Sequence, residues 1–240
     1  MKTLYRHIAG LVHGIKVLFF PELCLVCGRK LSEGERVMCT GCRVAMPLTL
    51  SGDDSLKERF DNHFDTVCAV SFFSYIHGSS HSRIVLGIKF HGHRRAAVEM
   101  GRWFGRRLRE EGSQICSADM IVPLPLSRGR AMERGFNQSE LIARGISMET
   151  GIAVETRAVA RVRYSDPQSL QRSWLDRFSN VKGAFAVVRP ELLVGKHIVI
   201  VDDVVTTGST VISCVMAILE AVPDCRISVA ALSAVPRRVG

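Results

Sequence analysis

The chain has 240 residues, 47% of them hydrophobic and 23% charged, and a formal net charge of +9 at pH 7. That length buries one sizeable core and leaves room for a small appended module. The balance excludes a disordered chain, no apolar run approaches the ~18 residues that span a bilayer, and the positive charge favours acidic partners, phosphates first.

The first stretch, MKTLYRHIAGLVHGIKVLFFPELC, places Leu4, Ile8, Leu11, Ile15 and Leu18 at helical spacing with basic residues between them. Arg6, His7, His13 and Lys16 interrupt it as a signal peptide, and no small-x-small cleavage site follows. The spacing predicts an amphipathic helix that ends before Pro21 and packs on its own protein rather than on a membrane surface. A cytoplasmic location is expected, where closely paired cysteines mean metal rather than disulfides. Cys24 and Cys27 form one C-x2-C pair, Cys39 and Cys42 a second, with eleven residues between them. Each pair can chelate one side of a tetrahedral ion, with Gly28 and Gly41 supplying the turns. Zinc is favoured, iron stays open, and four cysteines leave no position for water, so the role is structural. Cys68, Cys116, Cys214 and Cys225 lie scattered in apolar contexts.

Pro47 to Asp54 reads as a polar linker, followed by a strand-like stretch from Asp65 to Ile76 and a helix from Ser82 to Phe90. A basic helix runs from about His93 to Glu111. Arg95, Arg102, Arg106 and Arg109 fall near one face of it, flanked by Arg94 and Arg107, while Ala97, Gly101, Phe104 and Leu108 form the buried side. Such a stripe can follow the backbone of single-stranded DNA, with Trp103 stacking on a base, and it serves equally well as a solvated face. His77, His81, His91 and His93 match no familiar metal spacing and are expected at the surface.

From Ala118 the pattern becomes α/β. Met120–Leu126 is a short apolar strand, and the turn Pro123–Arg130 supplies Arg128 and Arg130, with Arg134 soon after, as guanidinium donors for phosphate oxygens. A helix over Ser139–Thr150, strand-like Val187 and Val188, a strand from His197 to Val201, a helix over Val211–Ala221 and a strand from Arg226 to Val235 complete the chain. Apolar strands alternating with helices predict a parallel sheet covered on both faces. Three regions result: 1–50 with the basic helix and cysteines, 51–117 connecting, and 118–240 the α/β core.

The segment Ile198–Thr210, IVIVDDVVTTGST, carries the most chemistry. Asp202 and Asp203 end an apolar strand, at the place where α/β sheets bind ligands. The loop Val204, Val205, Thr206, Thr207, Gly208, Ser209 and Thr210 then enters a helix, offering backbone N–H groups, hydroxyls and the positive end of a helix dipole to a phosphate. Carboxylates repel phosphate, but they accept hydrogen bonds from vicinal hydroxyls or act through a divalent cation. A sugar diol beside a 5′-phosphate satisfies both halves. The lysine of a P-loop is absent.

The combination closely resembles the signature of the type I phosphoribosyltransferases. More of the chain narrows the match. IVPLPLSRGRAMERGFNQSE from Ile121, then Pro167-Gln168, Arg177 and Asn180–Phe185, with the leading FFPELC and the four cysteines, resemble the ComF family of competence proteins. The resemblance implies a phosphoribosyltransferase fold with a hood and an N-terminal zinc finger, phosphoribosyl pyrophosphate bound with Mg²⁺, and a part in DNA uptake and natural transformation. The partners it implies are incoming single-stranded DNA, a competence helicase or other uptake proteins. The turn with Arg128 and Arg130 corresponds to the family's pyrophosphate cradle. If the transferase reaction occurs, Asp202 and Asp203 are its catalytic residues. In several purine-salvage relatives an aspartate stands at the position of Thr206, and threonine is no general base at neutral pH. A nucleobase transferase of salvage metabolism and a non-catalytic phosphoribosyl-pyrophosphate sensor remain alternatives.

Overall fold

We describe the protein from a computed structural model, which describes residues 22–49, 54–162 and 184–236. The amphipathic helix expected before Pro21, together with Pro167, Gln168, Arg177 and Asn180 to Gly183, lies outside the described residues.

Five parallel strands form the central sheet in the order β1 (Thr66–Ser74), β7 (Arg226–Ala234), β6 (His197–Val205), β2 (Met120–Pro123) and β3 (Ala153–Val154). The expected α/β fold is therefore present. In β6 the apolar run serves both faces: Val199 and Val201 enter one buried cluster, Ile198 and Ile200 the other. That is why the run is continuous rather than alternating. A small antiparallel pair, β4 (Val159–Arg161) and β5 (Phe185–Val187), packs Val159 and Phe185 into the second cluster.

Among the described residues, the first face carries α1 (Thr40–Val44), α3 (Ser82–Phe90), α4 (Arg94–Glu110) and α6 (Gln138–Thr150); the second carries α2 (Ser55–Asp61) and α7 (Ser209–Ala221). The predicted buried side of α4 is correct: Ala97, Gly101, Phe104 and Leu108 are all buried. Its glycines have a steric reason. A methyl group on Gly145 of α6 would lie 2.7 Å from Arg102 N and 2.8 Å from Gly101 Cα, and closer still to the Val98 carbonyl. The two backbones cross with room for hydrogen atoms only.

The chain leaves β2, turns outward to β3, then returns to β6 on the other side of β2. This reversal opens a crevice at the carboxyl ends of β2 and β6. Two elements differ from the sequence expectation there. The Pro123–Arg130 turn is followed by a short helix, α5 (Arg128–Arg134), capped by Ser127 Oγ on Arg130 N at 3.4 Å and stopped by Gly135 at φ 70°. And β6 does not end at Val201 but continues to Val205. β2 stops at Pro123, opposite Val201, so beyond that point β6 is paired by β7 alone and its other edge faces the crevice.

Candidate functional site

Asp202 and Asp203 occupy the extension of β6 past β2, and the two carboxylates are held differently. Asp202 Oδ1 accepts from Ser139 Oγ of α6 at 3.2 Å and from Asp203 N at 2.8 Å. Asp203 is buried and pairs with Lys89 Nζ of α3, 3.1 Å from its Oδ1. Its carbonyl accepts from Ser233 Oγ at 3.2 Å. Burial, and then the neighbouring Asp203 charge, push the Asp202 carboxyl up to about 7; the Asp203 N–H, Lys89 and Ser139 act against them.

Asp202 shares a small open pocket with Val204, Val205, Thr206, Gly208, Ser209 and Thr210. Gly208 makes the turn into α7 at φ 83°, and a methyl group there would meet the Phe60 ring at 2.9 Å, so only glycine fits. Ile212 N donates to Gly208 O at 2.9 Å, which begins the helical ladder. The N–H groups of Thr210 and Val211 belong to the first turn, where a helix offers them no carbonyl of its own. Thr207 Oγ1 donates to Ser209 Oγ at 3.1 Å and accepts from Ser209 N at 3.4 Å. The loop is also gripped from outside: Arg59 of α2 donates to the carbonyls of Thr206 and, at 2.9 Å, Val235. Neither Asp203 nor Thr207 is among the lining residues.

The arginines of the cradle region divide. Arg128 and Arg130 begin α5, and Arg130 is exposed. Arg134 stacks over Phe90, 5.2 Å from the ring centroid. Arg161 of β4 lies near enough to Arg130, Asp202 and Cys214 to sense their charges; burial first and Arg130 next lower its basicity. Asn137 is a helix cap, accepting from Ser139 N at 3.1 Å and donating to Leu124 O at 3.1 Å. Gln138 is not a surface residue: it is 1% exposed. Lys89, Ser139, Arg59 and Arg161 escaped the sequence reading because each reaches the site from a distant segment. A larger cavity of about 490 Å³ lies between β1 and the end of α4 and contains none of these groups.

Cys24, Cys27, Cys39 and Cys42 converge, with all four sulfurs within 4.8 Å of one another and none in a disulfide. Cys27 Sγ and Cys39 Sγ are 3.8 Å apart. Four sulfurs placed tetrahedrally at the zinc–thiolate bond length would be separated by about 3.8 Å, so the donor set fits. Cys24 Sγ accepts N–H bonds from Cys27 at 3.5 Å and Cys39 at 3.4 Å, and Cys39 Sγ accepts one from Cys42 at 3.4 Å. Burial opposes ionisation of Cys24, but the backbone N–H groups of Cys27, Cys39 and Val26 outweigh it and lower the thiol to about 6. Gly28 makes its turn at φ 76°, whereas Gly41 lies inside α1, so the second pair sits on a helical turn rather than a glycine turn. Glu35 ties the intervening loop to α1, accepting from Ser32 N at 2.9 Å, Thr40 N at 2.7 Å and Thr40 Oγ1 at 2.9 Å.

This knuckle is docked on α3 and α4. His81 Nε2 meets Cys42 O at 2.9 Å, and Arg83 donates to Val26 O at 3.2 Å. His81 is thus buried, contrary to the surface expectation, while His77, His91 and His93 are exposed. Arg43 covers the Trp103 ring at 4.8 Å, and Trp103 Nε1 donates to Glu99 at 3.1 Å. Glu149 of α6 gathers three arginines of α4, Arg102 at 2.9 Å and Arg106 at 3.3 Å by its carboxylate and Arg109 at 3.0 Å by its carbonyl; Arg95 is exposed. No helix of the described residues is long and apolar enough to cross a membrane.

Residues 133–239 match the model of the phosphoribosyl transferase domain. The chain is 43% identical over 103 residues to DNA utilization protein YhgH of Salmonella typhimurium, covering 43% of this chain and 43% of the relative. With Competence protein F of Haemophilus influenzae it shares 35% identity over 98 residues, 40% of this chain and 42% of the relative. The chain thus spans about two fifths of the length of the curated relatives it matches. Among solved structures it is similar to a glutamine phosphoribosylpyrophosphate amidotransferase from B. subtilis, at 24% identity and a TM-score of 0.39, over 56% of this chain and 26% of that one. So distant a likeness carries no argument about function.

Proposed function

We propose that the chain is a member of the ComF family, as its likeness to the phosphoribosyl transferase domain, YhgH and Competence protein F supports, and that the crevice at the end of β6 binds phosphoribosyl pyrophosphate in the service of DNA uptake. The observation that carries this is the extension of β6 past β2, which sets Asp202 and the Gly208 turn side by side in one open pocket. Asp202 accepts the ribose diol, Asp203 adds its charge from behind, and the hydroxyls and N–H groups of Thr206 to Thr210 take the 5-phosphate. Arg128 and Arg130 serve the pyrophosphate. Mg²⁺, when bound with the ligand, supplies charge neutralisation across the phosphates. Thr206 brings no ionisable group to the place of base chemistry, so the reading is of a binding pocket rather than a salvage transferase.

The four thiolates hold structural zinc, whose chemistry suits soft ligands in a segment too short to build a core. Single-stranded DNA is the proposed macromolecular partner, met along the face of Arg95, Arg102, Arg106 and Arg109 or through a competence helicase. A cytoplasmic setting is supported by the two C-x2-C pairs, whose convergence suits metal rather than disulfides. The test is calorimetry of phosphoribosyl pyrophosphate with Mg²⁺ on the full chain, beside a natural-transformation assay. Binding lost and transformation impaired in Asp202→Ala/Asp203→Ala is the expected result. Unchanged binding in that variant sinks the pocket, and steady pyrophosphate release on adding a nucleobase would establish the salvage reaction instead.

A further inference from the structure

Helix α3 joins the two sites of this protein. At its first turn it is fastened to the knuckle. His81 bonds the carbonyl of Cys42 and Arg83 bonds the carbonyl of Val26 between Cys24 and Cys27, while further along the helix Leu25 packs at 3.6 Å from where a methyl group on Gly87 would stand. At its last turn it presents Lys89, whose ammonium lies 3.1 Å from Asp203 Oδ1. Between these ends Ile84, Val85, Gly87 and Ile88 are buried, so the helix cannot shift at one end alone without disturbing the core. Eight residues of helix span roughly 12 Å, a distance within which a regular helix transmits position as a rigid body.

Both ends depend on charge or metal. The knuckle groups that fasten α3 are backbone atoms of the cysteine turns, or a side chain between two of the cysteines. Val26 and Met38 pack into the same buried cluster as α3, and the four converging thiols set the turns that carry these groups, so metal held there fixes their place. At the other end, the side chains of Lys89 and Asp203 are 23% and 10% exposed, so the pair is little screened by water. If Lys89 withdraws, Asp203 is left as a buried carboxylate without its cation, directly beside Asp202.

We propose that Lys89 is a positioning residue of the phosphoribosyl pocket, and that metal held by Cys24, Cys27, Cys39 and Cys42 keeps it against Asp203 through α3, so that knuckle occupancy sets the pocket's affinity. This rests on the pocket reading above and adds its regulation. It makes the knuckle more than a fold staple: loss of metal lowers the affinity of a site on the far end of the helix.

The experiment is a cycle on the full chain, with calorimetry of phosphoribosyl pyrophosphate and Mg²⁺ before and after the knuckle metal is removed. Removal should weaken binding by about tenfold or more in the native chain. Lys89→Met should show a similar loss while loaded and little further loss on stripping, whereas Lys89→Arg should restore both affinity and sensitivity to metal. Losses that multiply independently, or an affinity indifferent to stripping, overturn the proposal. Because stripping can unfold the knuckle outright, His81→Leu/Arg83→Met provides a second route: thiol-released metal should stay at one equivalent while affinity drops as in Lys89→Met. An unaltered affinity there also overturns it. If the loaded native chain binds no phosphoribosyl pyrophosphate, the pocket reading fails, and amide hydrogen exchange of Ile198–Thr210 then judges the coupling by itself. Faster exchange on stripping in the native chain but not in Lys89→Met supports it, and equal responses refute it.

Discussion

Replacing Asp202 by asparagine should make the protein more stable at alkaline pH and leave it nearly unchanged in acid. The amide keeps an oxygen for both bonds that Oδ1 now accepts, from Ser139 Oγ and Asp203 N. It removes only the charge that burial and Asp203 disfavour. A carboxyl raised in the fold holds its proton more tightly there than in the unfolded chain. Stability is therefore greatest below its ordinary value and is lost as pH rises from about 4 through about 7. Moving a carboxyl from 3.8 to about 7 corresponds to about 4 kcal/mol between the two ends of that window. For a chain of this size that is roughly 8–16 °C in Tm. Thermal melts from pH 5 to pH 8, without phosphoribosyl ligand or added Mg²⁺, give the comparison. The two proteins should differ least at pH 5, where roughly a third of the penalty is already present, and Asp202→Asn should melt furthest above the native chain at pH 8. A difference that does not vary with pH, or a native chain that is the more stable at pH 8, would refute the assignment of a penalty to this carboxylate. The same substitution should weaken phosphoribosyl binding, so the charge is retained at the expense of stability.

Two further substitutions probe the scaffold. Gly145→Ala must push α4 and α6 apart, because its methyl group meets backbone rather than a movable side chain; it should cost about 1–3 kcal/mol or more by urea denaturation, while Gly129→Ala, where nothing lies within 4 Å of the new methyl, should be close to neutral. Arg59→Met removes both donors to the Thr206 and Val235 carbonyls. It should raise the Kd for ribose 5-phosphate by about tenfold in calorimetry, and an unchanged Kd would mean that the loop keeps its shape without that grip.

Much of this protein was legible where local pattern and function coincide. Ser82–Phe90 was bounded as the structure has it, and β6 with its following helix was read from an apolar run, two aspartates and a hydroxyl-rich turn. The buried side of α4 followed from helical spacing. What escaped depended on distance in sequence. α2 offers only Leu56 and Phe60 as buried residues in a charged stretch, too little periodicity to mark a helix. Its Arg59 acquires meaning only when Thr206 and Val235 are brought to it. Lys89 looks like an ordinary basic residue at the end of a helix until Asp203 is placed opposite. Gly101 was expected on a buried face, but its closeness to Gly145 is a property of two segments together. The histidines show the opposite hazard: four were assigned to the surface by spacing, and His81 is buried because a knuckle carbonyl gives it a partner.

The parallel ladder of β1 with β7 also bears on how the chain is made. Thr66 pairs with Ile227 and Ser74 with Ala234, so the first strand of the sheet waits for the last before its inner edge is satisfied. During synthesis the run TVCAVSFFS emerges early, apolar and rich in β-branched and aromatic residues, with no ladder to join. The knuckle can take metal and α3 can form beside it long before β7 leaves the ribosome, whereas β1 cannot finish. Non-local pairing of this kind slows folding and prolongs exposure of a sticky strand. β1 is therefore the segment of a nascent chain most open to wrong pairing until β7 arrives.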